Sequence, residues 1–480
     1  MTTDTPRLRL AILGVVVMSL FAALFARLWF LQILAAPTYQ VAAESNRVRV
    51  VQEEAPRGRI LDRQGRVIVD NRVSIVVTVE RRELDAADDR DDVVYRLAGV
   101  LSRTPEEIEA RLADKRYNQF QPVPVAEDVD EGAVIFIKEH QSQFPGVDVI
   151  REAVREYPYG PLAAHLLGYV GEINDEELEA REGNRAKPYQ LGDSIGKSGV
   201  ERIYEDDLRG APGLVKLEVD SRGNSLRTLA RRTPVPGNDV QLTIDLDIQA
   251  LVEQSLAQQL ARARQTRSAD NRNVTYPASA GSAVVLDPRD GSIVAMASYP
   301  TYDPRQFIGG ITTEAFAVLN DPANHYPLNN RAIQGQYAPG STFKLITAAA
   351  GLRTGIINAN TTVVDRGSLR IGNRTFRNAG GRAYGPVSTP RAITVSSDVF
   401  FYDLGRRFWE ARSQYGDGIQ ATAADFGFGA ETGVPLPSEQ DGRIPTPDSR
   451  RRQHEANPEA FPEGSWFAGD NANLAIGQGE

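Results

Sequence analysis

The chain contains no cysteine among its 480 residues. Disulfides, thiolate metal sites and a cysteine nucleophile are therefore excluded, and the absence fits an exported protein that avoids mispairing in an oxidising space. Histidine is nearly as scarce: His140, His165, His325 and His454 lie far apart and give no metal-ligand spacing. Positive charge is in deficit, with a formal charge of −9 and a pI of about 5.3. No basic excess is left to neutralise a phosphate backbone, so nucleic acid is not an expected partner. Lysine is rare as well. Of 54 basic residues only Lys115, Lys138, Lys187, Lys197, Lys216 and Lys344 are lysines, so each one carries information in a chain that otherwise uses arginine.

What is present is ordinary globular composition, 41% hydrophobic, 24% charged and 8% aromatic, in a length that allows two or three domains of roughly 100 to 200 residues. Leu10 to Ala26 is an uncharged apolar run, whose helix would be about 25 Å long and could extend past Trp29 if Arg27 snorkels. That length suits one membrane crossing. The competing reading, a cleaved signal peptide, calls for a shorter apolar region and a better cleavage site than Ala35-Ala36-Pro37. Arg7 and Arg9 favour an N-terminus inside, a bias that Arg27 and Arg47 dilute.

From Pro37 to about Pro236 the chain mixes β-rich stretches such as Val73 to Val79 with acidic helical ones. Thr104-Pro105-Glu106-Glu107 reads as a helix start, with a capping hydroxyl, a proline in the first turn and acids at the positive end. Arg57 to Gly65 (RGRILDRQG) reads as a strand entering a turn at Arg63-Gln64-Gly65. Gly196-Lys197-Ser198 imitates part of a phosphate loop, but the glycine that loop needs five residues earlier is Leu191. Both stretches read as structural turns. Near Pro236-Gly237-Asn238-Asp239 a new unit is expected, with a strand at Val240 to Ile244 and a helix capped by Asp245 or Asp247. A hairpin then joins 283–286 to 293–297. A strand pair without a crossover helix points to an antiparallel sheet packed with helices.

Chemistry is concentrated further on. In Pro339-Gly340-Ser341-Thr342-Phe343-Lys344 a Pro-Gly stop precedes good helix formers, so Ser341 opens a helix and Lys344 lies one turn on, on the same side. A serine hydroxyl needs a base, and a lysine can serve only where burial or a cationic neighbour favours its neutral form. Lys344 is the one lysine after Lys216, and arginine could not take the role because it stays protonated. The alternative is a helix-cap serine beside a snorkelling lysine. Ser396-Ser397-Asp398 offers a second hydroxyl and a short acid on one apolar helix, able to relay a proton and hold the lysine; by itself it reads equally as a helix N-cap.

Together these residues resemble the penicillin-binding transpeptidases, whose signature is S-x-x-K, then S-x-N or S-x-D, then K-[ST]-G. Ser341 and Lys344 match the first element, Ser396 and Asp398 the second. The aspartate form resembles the class B elongation group called penicillin-binding protein 2. RGRILDRQG, Tyr157-Pro158 with Ala164 to Gly171 (AHLLGYVG), and Gly196 to Gly210 resemble the class B non-catalytic pedestal. Phe426 to Gly429 (FGFG) and Asn473 to Gly479 (NLAIGQG) resemble the stretch before the third motif.

The resemblance implies an α+β protein. A cytoplasmic tail and single transmembrane helix would fill 1–36, an elongated mixed pedestal of dimerisation type 37–235, and a penicillin-binding transpeptidase domain 236–480. It implies acyl transfer through an acyl-serine at Ser341, with peptidoglycan stem peptides as substrates and β-lactams as mimics. No cofactor or metal enters this chemistry. The partners implied are the membrane, a SEDS-type glycosyltransferase and elongation scaffold proteins, with the bulk of the chain outside the cytoplasmic membrane. A septal transpeptidase and an inactive anchored scaffold or β-lactam sensor are the alternatives. No lysine follows Lys344, so no K-[ST]-G occurs before Glu480. The transpeptidase domain is expected to be truncated, and the 480-residue chain to be inactive as it stands.

Overall fold

Why the strand at Val67–Val79 forms is plain from its residues: eight of its thirteen are valine or isoleucine, side chains that lose little freedom on a pleated surface. In the computed structural model, which describes residues 6–34, 48–114, 117, 122–181, 183, 188–219, 225–268 and 273–479, this strand is the spine of the N-terminal half. It pairs antiparallel with Val147–Glu156 and with Val123–Ala126. Helices Arg90–Val100, Pro105–Leu112 and Glu131–Glu139 contribute Val93, Leu97, Ile108 and Ile137 to a core with Val77, Phe144 and Val147. The helix start read at Thr104 is a full capping box: Thr104 Oγ1 accepts from Glu107 N at 3.2 Å, and Glu107 Oε2 accepts from Thr104 N at 2.9 Å. Ala35-Ala36-Pro37, Arg47, Lys115 and Lys187 lie outside the described residues.

The apolar N-terminal run is helical over Pro6–Trp29 and continues as a π-helical turn, Phe30–Leu34. Its segment Ile12–Trp29 is long and apolar enough to cross a membrane, and none of it is buried against the rest of the chain. A three-stranded antiparallel sheet of Val48–Glu53, Gly213–Val219 and Ser225–Arg232 follows.

The turn-like stretches RGRILDRQG and GKSGVER meet in one buried ion-pair cluster. Glu201, fully buried at 0% exposure, accepts from Arg155 Nε at 2.6 Å and Arg57 Nη2 at 2.9 Å, and Arg57 also holds Glu205 at 2.7 Å. Burial alone would raise the Glu201 carboxyl, but Arg155 and Arg57 outweigh it and hold it below its usual range. Backbones touch here too. A Cβ on Gly168 would lie 1.9 Å from Ser198 O, and one on Gly58 would lie 1.7 Å from Asn238 O, so only glycine permits these approaches. The GKS string is thus a packing element, with Gly199 in the left-handed region at φ +57°.

The strand expected at 240–244 is shorter and differently placed. Only Val240–Gln241 is extended, and it joins the N-terminal sheet, parallel to Ile60–Leu61. Leu246–Gln265 is a helix capped by Asp245, which accepts from Asp247 N and Ile248 N, and Gln249 ties it to both polar groups of Met296 at 2.8 Å. The expected hairpin is Gly281–Leu286 with Ile293–Tyr299. Ile60, Val69, Tyr157 and Val200 share one core with Ile244, Leu246 and Met296, so the two halves are packed together. His165 bridges them as well, donating from Nε2 to Pro327 O at 2.7 Å; burial pushes its imidazole down to about 4, so it stays neutral. Helices Lys344–Thr354, Asp398–Glu410, Gly418–Asp425 and Ala468–Ala475 enclose a separate core around Phe343, Phe400, Phe401 and Phe408.

Replacing Glu201 by glutamine is expected to cost about 3–5 kcal/mol at pH 7, because the buried Arg155 loses its charge partner and Arg57 keeps only Glu205. Since the folded carboxyl titrates below its ordinary value of 4.5, its contribution is present above that pH and fades as pH falls through the folded pKa. Thermal unfolding of Glu201→Gln against the parent should show a gap that is wide at neutral pH and narrows in acid; a pH-independent gap would contradict the ion-pair account.

Candidate active site

Ser341 lies in a single 3-10 turn, Gly340–Phe343, that runs directly into the Lys344–Thr354 helix. Gly340 takes φ +58° and donates its N–H to Gly477 O at 2.9 Å. A Cβ on Gly477 would stand 2.4 Å from Gly340 O, so the IGQG stretch is what lies behind the serine turn. Thr347 Oγ1 donates to Ala475 O at 2.8 Å, and Phe428 of the FGFG stretch packs edge-on against Phe343 at 5.7 Å. These two stretches, far apart in sequence, hold the turn from both sides.

The pair expected from spacing divides its tasks. Ser341 is exposed, whereas Lys344 is buried at 2% exposure. No hydrogen bond joins them among the described residues. Lys344 Nζ instead donates to Ser396 O at 2.9 Å, Ser396 Oγ at 3.0 Å and Asp398 Oδ1 at 2.5 Å, which uses all three donors of an ammonium. The structure therefore brings Lys344, Ser396 and Asp398 together, while Ser341 is exposed in the turn that leads into the lysine's helix. The expected dry setting is present, but the charged neighbour is the Asp398 anion and not a cation.

Ser396 and Asp398 do not share a helix as expected. Asp398 is the first residue of Asp398–Glu410, while Ser396 precedes it with φ +55°, in the left-handed region. Ser397 is the N-cap between them and accepts from Phe400 N at 3.1 Å. Burial and the Asp398 carboxylate push the Tyr402 phenol, one turn on, up to about 12, so it stays protonated.

Three polar residues beneath the site escaped the sequence reading. Asp365, Asn378 and Ser397 are all buried, and the Asp365 carboxylate accepts hydrogen bonds from both of the others. Asp365 and Asn378 fall in no motif and Ser397 fills its variable middle position, so only their convergence in space marks them. A cavity of about 1240 Å³ lies elsewhere, between the N-terminal half and residues 305–316; Arg72, Glu127 and Arg305 line it, and none of the four candidate residues does.

Residues 52–242 match the penicillin-binding protein dimerisation domain, and residues 281–477 match the penicillin-binding protein transpeptidase domain. The chain is 33% identical over 470 residues to the peptidoglycan D,D-transpeptidase MrdA of Acinetobacter baumannii, covering 97% of this chain and 64% of that protein. It is 33% identical over 479 residues to MrdA of Escherichia coli K12, covering 98% and 69%. The chain thus spans about two thirds of the length of these curated relatives. Penicillin-binding protein PBP2 of Helicobacter pylori, solved in complex with MreC, superposes with a TM-score of 0.70 at 25% identity, over 90% of this chain and 74% of that one. A chain from a peptidoglycan synthase complex, solved for its coordination of polymerization and crosslinking, gives 0.64 at 29% identity, over 98% and 74%. The chain belongs to the elongation-type class B penicillin-binding proteins, the MrdA (PBP2) family.

Substituting Gly477 by alanine should disturb the serine turn, because a Cβ would meet Gly340 O and the residue's φ of +68° suits glycine. A cost of about 1–3 kcal/mol is expected, read as a lower unfolding midpoint. An unchanged midpoint would mean that the IGQG stretch does not brace the turn.

Proposed function

We propose that this chain carries the acyl-transfer site of a peptidoglycan D,D-transpeptidase of cell-wall elongation. The observation that carries the reading is the buried Lys344 amine gathered with Ser396 and Asp398, with the exposed Ser341 in the turn that leads into the lysine's helix. In the catalytic state the lysine must be a neutral amine, which keeps two N–H donors and gains one lone pair. Two donors suffice for Ser396 O and Asp398, and the lone pair is free to take the Ser341 proton as its oxygen attacks the penultimate D-alanine carbonyl. As the tetrahedral intermediate collapses and its C–N bond breaks, Ser396 Oγ passes a proton to the departing D-alanine amine and takes one from the Lys344 ammonium, which returns to the neutral amine. A second stem's amine attacks the ester, loses a proton along the same path and restores the serine hydroxyl. Asp398 fixes the amine in place throughout, and amides at the start of the Lys344–Thr354 helix can face the developing oxyanion.

The 366–382 segment, part of which is tied to Asp398 through Ala379 N, carries Arg366, Arg370, Arg377 and Arg382, which are exposed and form no ion pair among the described residues, charges that suit a substrate ending in a carboxylate. β-Lactams would enter as mimics of the D-alanyl-D-alanine end and remain esterified to Ser341. The MreC-bound and synthase-complex structures of relatives support a scaffold protein and a SEDS-type glycosyltransferase as partners. The N-terminal helix supports a single-pass anchor in the cytoplasmic membrane, with residues 1–36 as tail and anchor, 37–235 as pedestal and 236–480 as transpeptidase domain outside it.

In the complete protein, Ser341→Ala is expected to abolish labelling by a fluorescent penicillin without changing the unfolding midpoint. Lys344→Arg should slow labelling by about 10²–10⁴-fold, since a guanidinium stays protonated and cannot act as the base. Wild-type labelling of Ser341→Ala would overturn the nucleophile assignment.

A further inference from the structure

The left-handed conformation of Ser396 is held from below by a closed set of hydrogen bonds. Asp365 is 1% exposed. Its Oδ1 accepts from Gly367 N at 2.8 Å and Asn378 Nδ2 at 2.9 Å, and its Oδ2 accepts from Asn378 Nδ2 at 2.8 Å and the Ser397 hydroxyl at 2.5 Å. The Asn378 amide also donates to Arg382 O at 2.6 Å, while its Oδ1 accepts from Val399 N at 2.9 Å. That pattern fixes which end of the amide is which, because a flipped Asn378 would aim its oxygen at a carboxylate and a carbonyl. Next along the chain, Ala379 N donates to Asp398 Oδ2 at 3.2 Å.

Residues 397, 398 and 399 are thus each tied to the 365–379 segment, by a hydroxyl, a carboxylate and a backbone amide respectively. Ser397 works in two directions at once, donating to Asp365 and accepting from Phe400 N as the helix cap. A non-glycine residue at positive φ costs about 1–3 kcal/mol and persists only where its surroundings over-determine it. Here the surroundings are this network. The same turn carries every acceptor of Lys344: the Ser396 carbonyl, the Ser396 hydroxyl and Asp398 Oδ1.

We infer that Asp365, acting with Asn378 and Ser397, is a positioning residue for acylation: it fixes the Ser396–Asp398 turn and through it the place of the Lys344 amine. The inference rests on the transpeptidase reading above. None of the three touches Ser341, so the effect is on the geometry of the amine and not on substrate contact. Fixed geometry of this kind is worth about 100-fold when a reacting group is misplaced by an ångström.

The test is the reaction of the complete protein with a fluorescent penicillin, followed in time so that the labelled fraction and the rate constant of the labelling molecules are read separately. Asp365→Asn and Ser397→Ala are expected to label to the full extent with a rate constant lowered about 10- to 100-fold, and Ser397→Thr, which keeps the hydroxyl, to recover most of it. A merely structural role would lower the labelled fraction and leave the rate constant at the parent value; that result, or no change in either, overturns the inference. Should Asp365→Asn fail to fold, the Ser397→Ala and Ser397→Thr pair decides alone by the same criteria. Ser341→Ala, run alongside, separates the two claims. If it still labels, the transpeptidase reading fails; if it is silent while Asp365→Asn reacts at the parent rate, only the positioning claim fails.

Discussion

One buried cation organises the catalytic half of this protein. An amine removed from water must find acceptors or lose its charge, and Lys344 finds three of them, all within the three-residue turn that begins at Ser396. Satisfying it requires Ser396 to turn left-handed, which in turn requires the bonds from below to Ser397 and Val399. The exposed Ser341 is the counterpart: its 3-10 turn leads into the helix of the lysine, so the position of one dictates that of the other. The site is a consequence of solving a burial problem.

The N-terminal half solves a similar problem with opposite charge. Glu201 is fully buried and answered by Arg57 and Arg155, and the glycines around it allow backbone to lie on backbone. Because Asn238 and Val240 pack on the same stretch, the segment leading into the catalytic half is anchored in the N-terminal sheet. The shared core around Ile60, Val200 and Met296 packs the two halves against each other.

How much of this could be read from sequence depended on range. The apolar helix, the Thr104 cap, the 281–299 hairpin and the Ser341–Lys344 spacing are local patterns, and local patterns survive folding. The position of the 240–244 segment was misread because strand propensity does not say which sheet a strand will join. The pairing of Lys344 with residues 52 and 54 positions away was offered by residue chemistry and sharpened by the family motif, but its geometry, with Ser396 off the helix, was not legible. Asp365 and Asn378 were invisible: a buried acid and an amide in ordinary turn-like sequence acquire meaning only when the fold sets them under the same turn. Glu201 was hidden differently, inside a string that imitates a phosphate loop.

The central claim is that Lys344, held by Ser396 and Asp398, is the group that serves Ser341. The most direct measurement is a crystal structure of the complete protein acylated by a β-lactam. The account predicts an ester on Ser341 Oγ, the Lys344 amine still bonded to Ser396 and Asp398, and that amine within hydrogen-bond reach of the ester oxygen. An adduct on another residue, or an ester on Ser341 with the Lys344 amine out of reach and the Ser396 turn relaxed to an ordinary conformation, would contradict it.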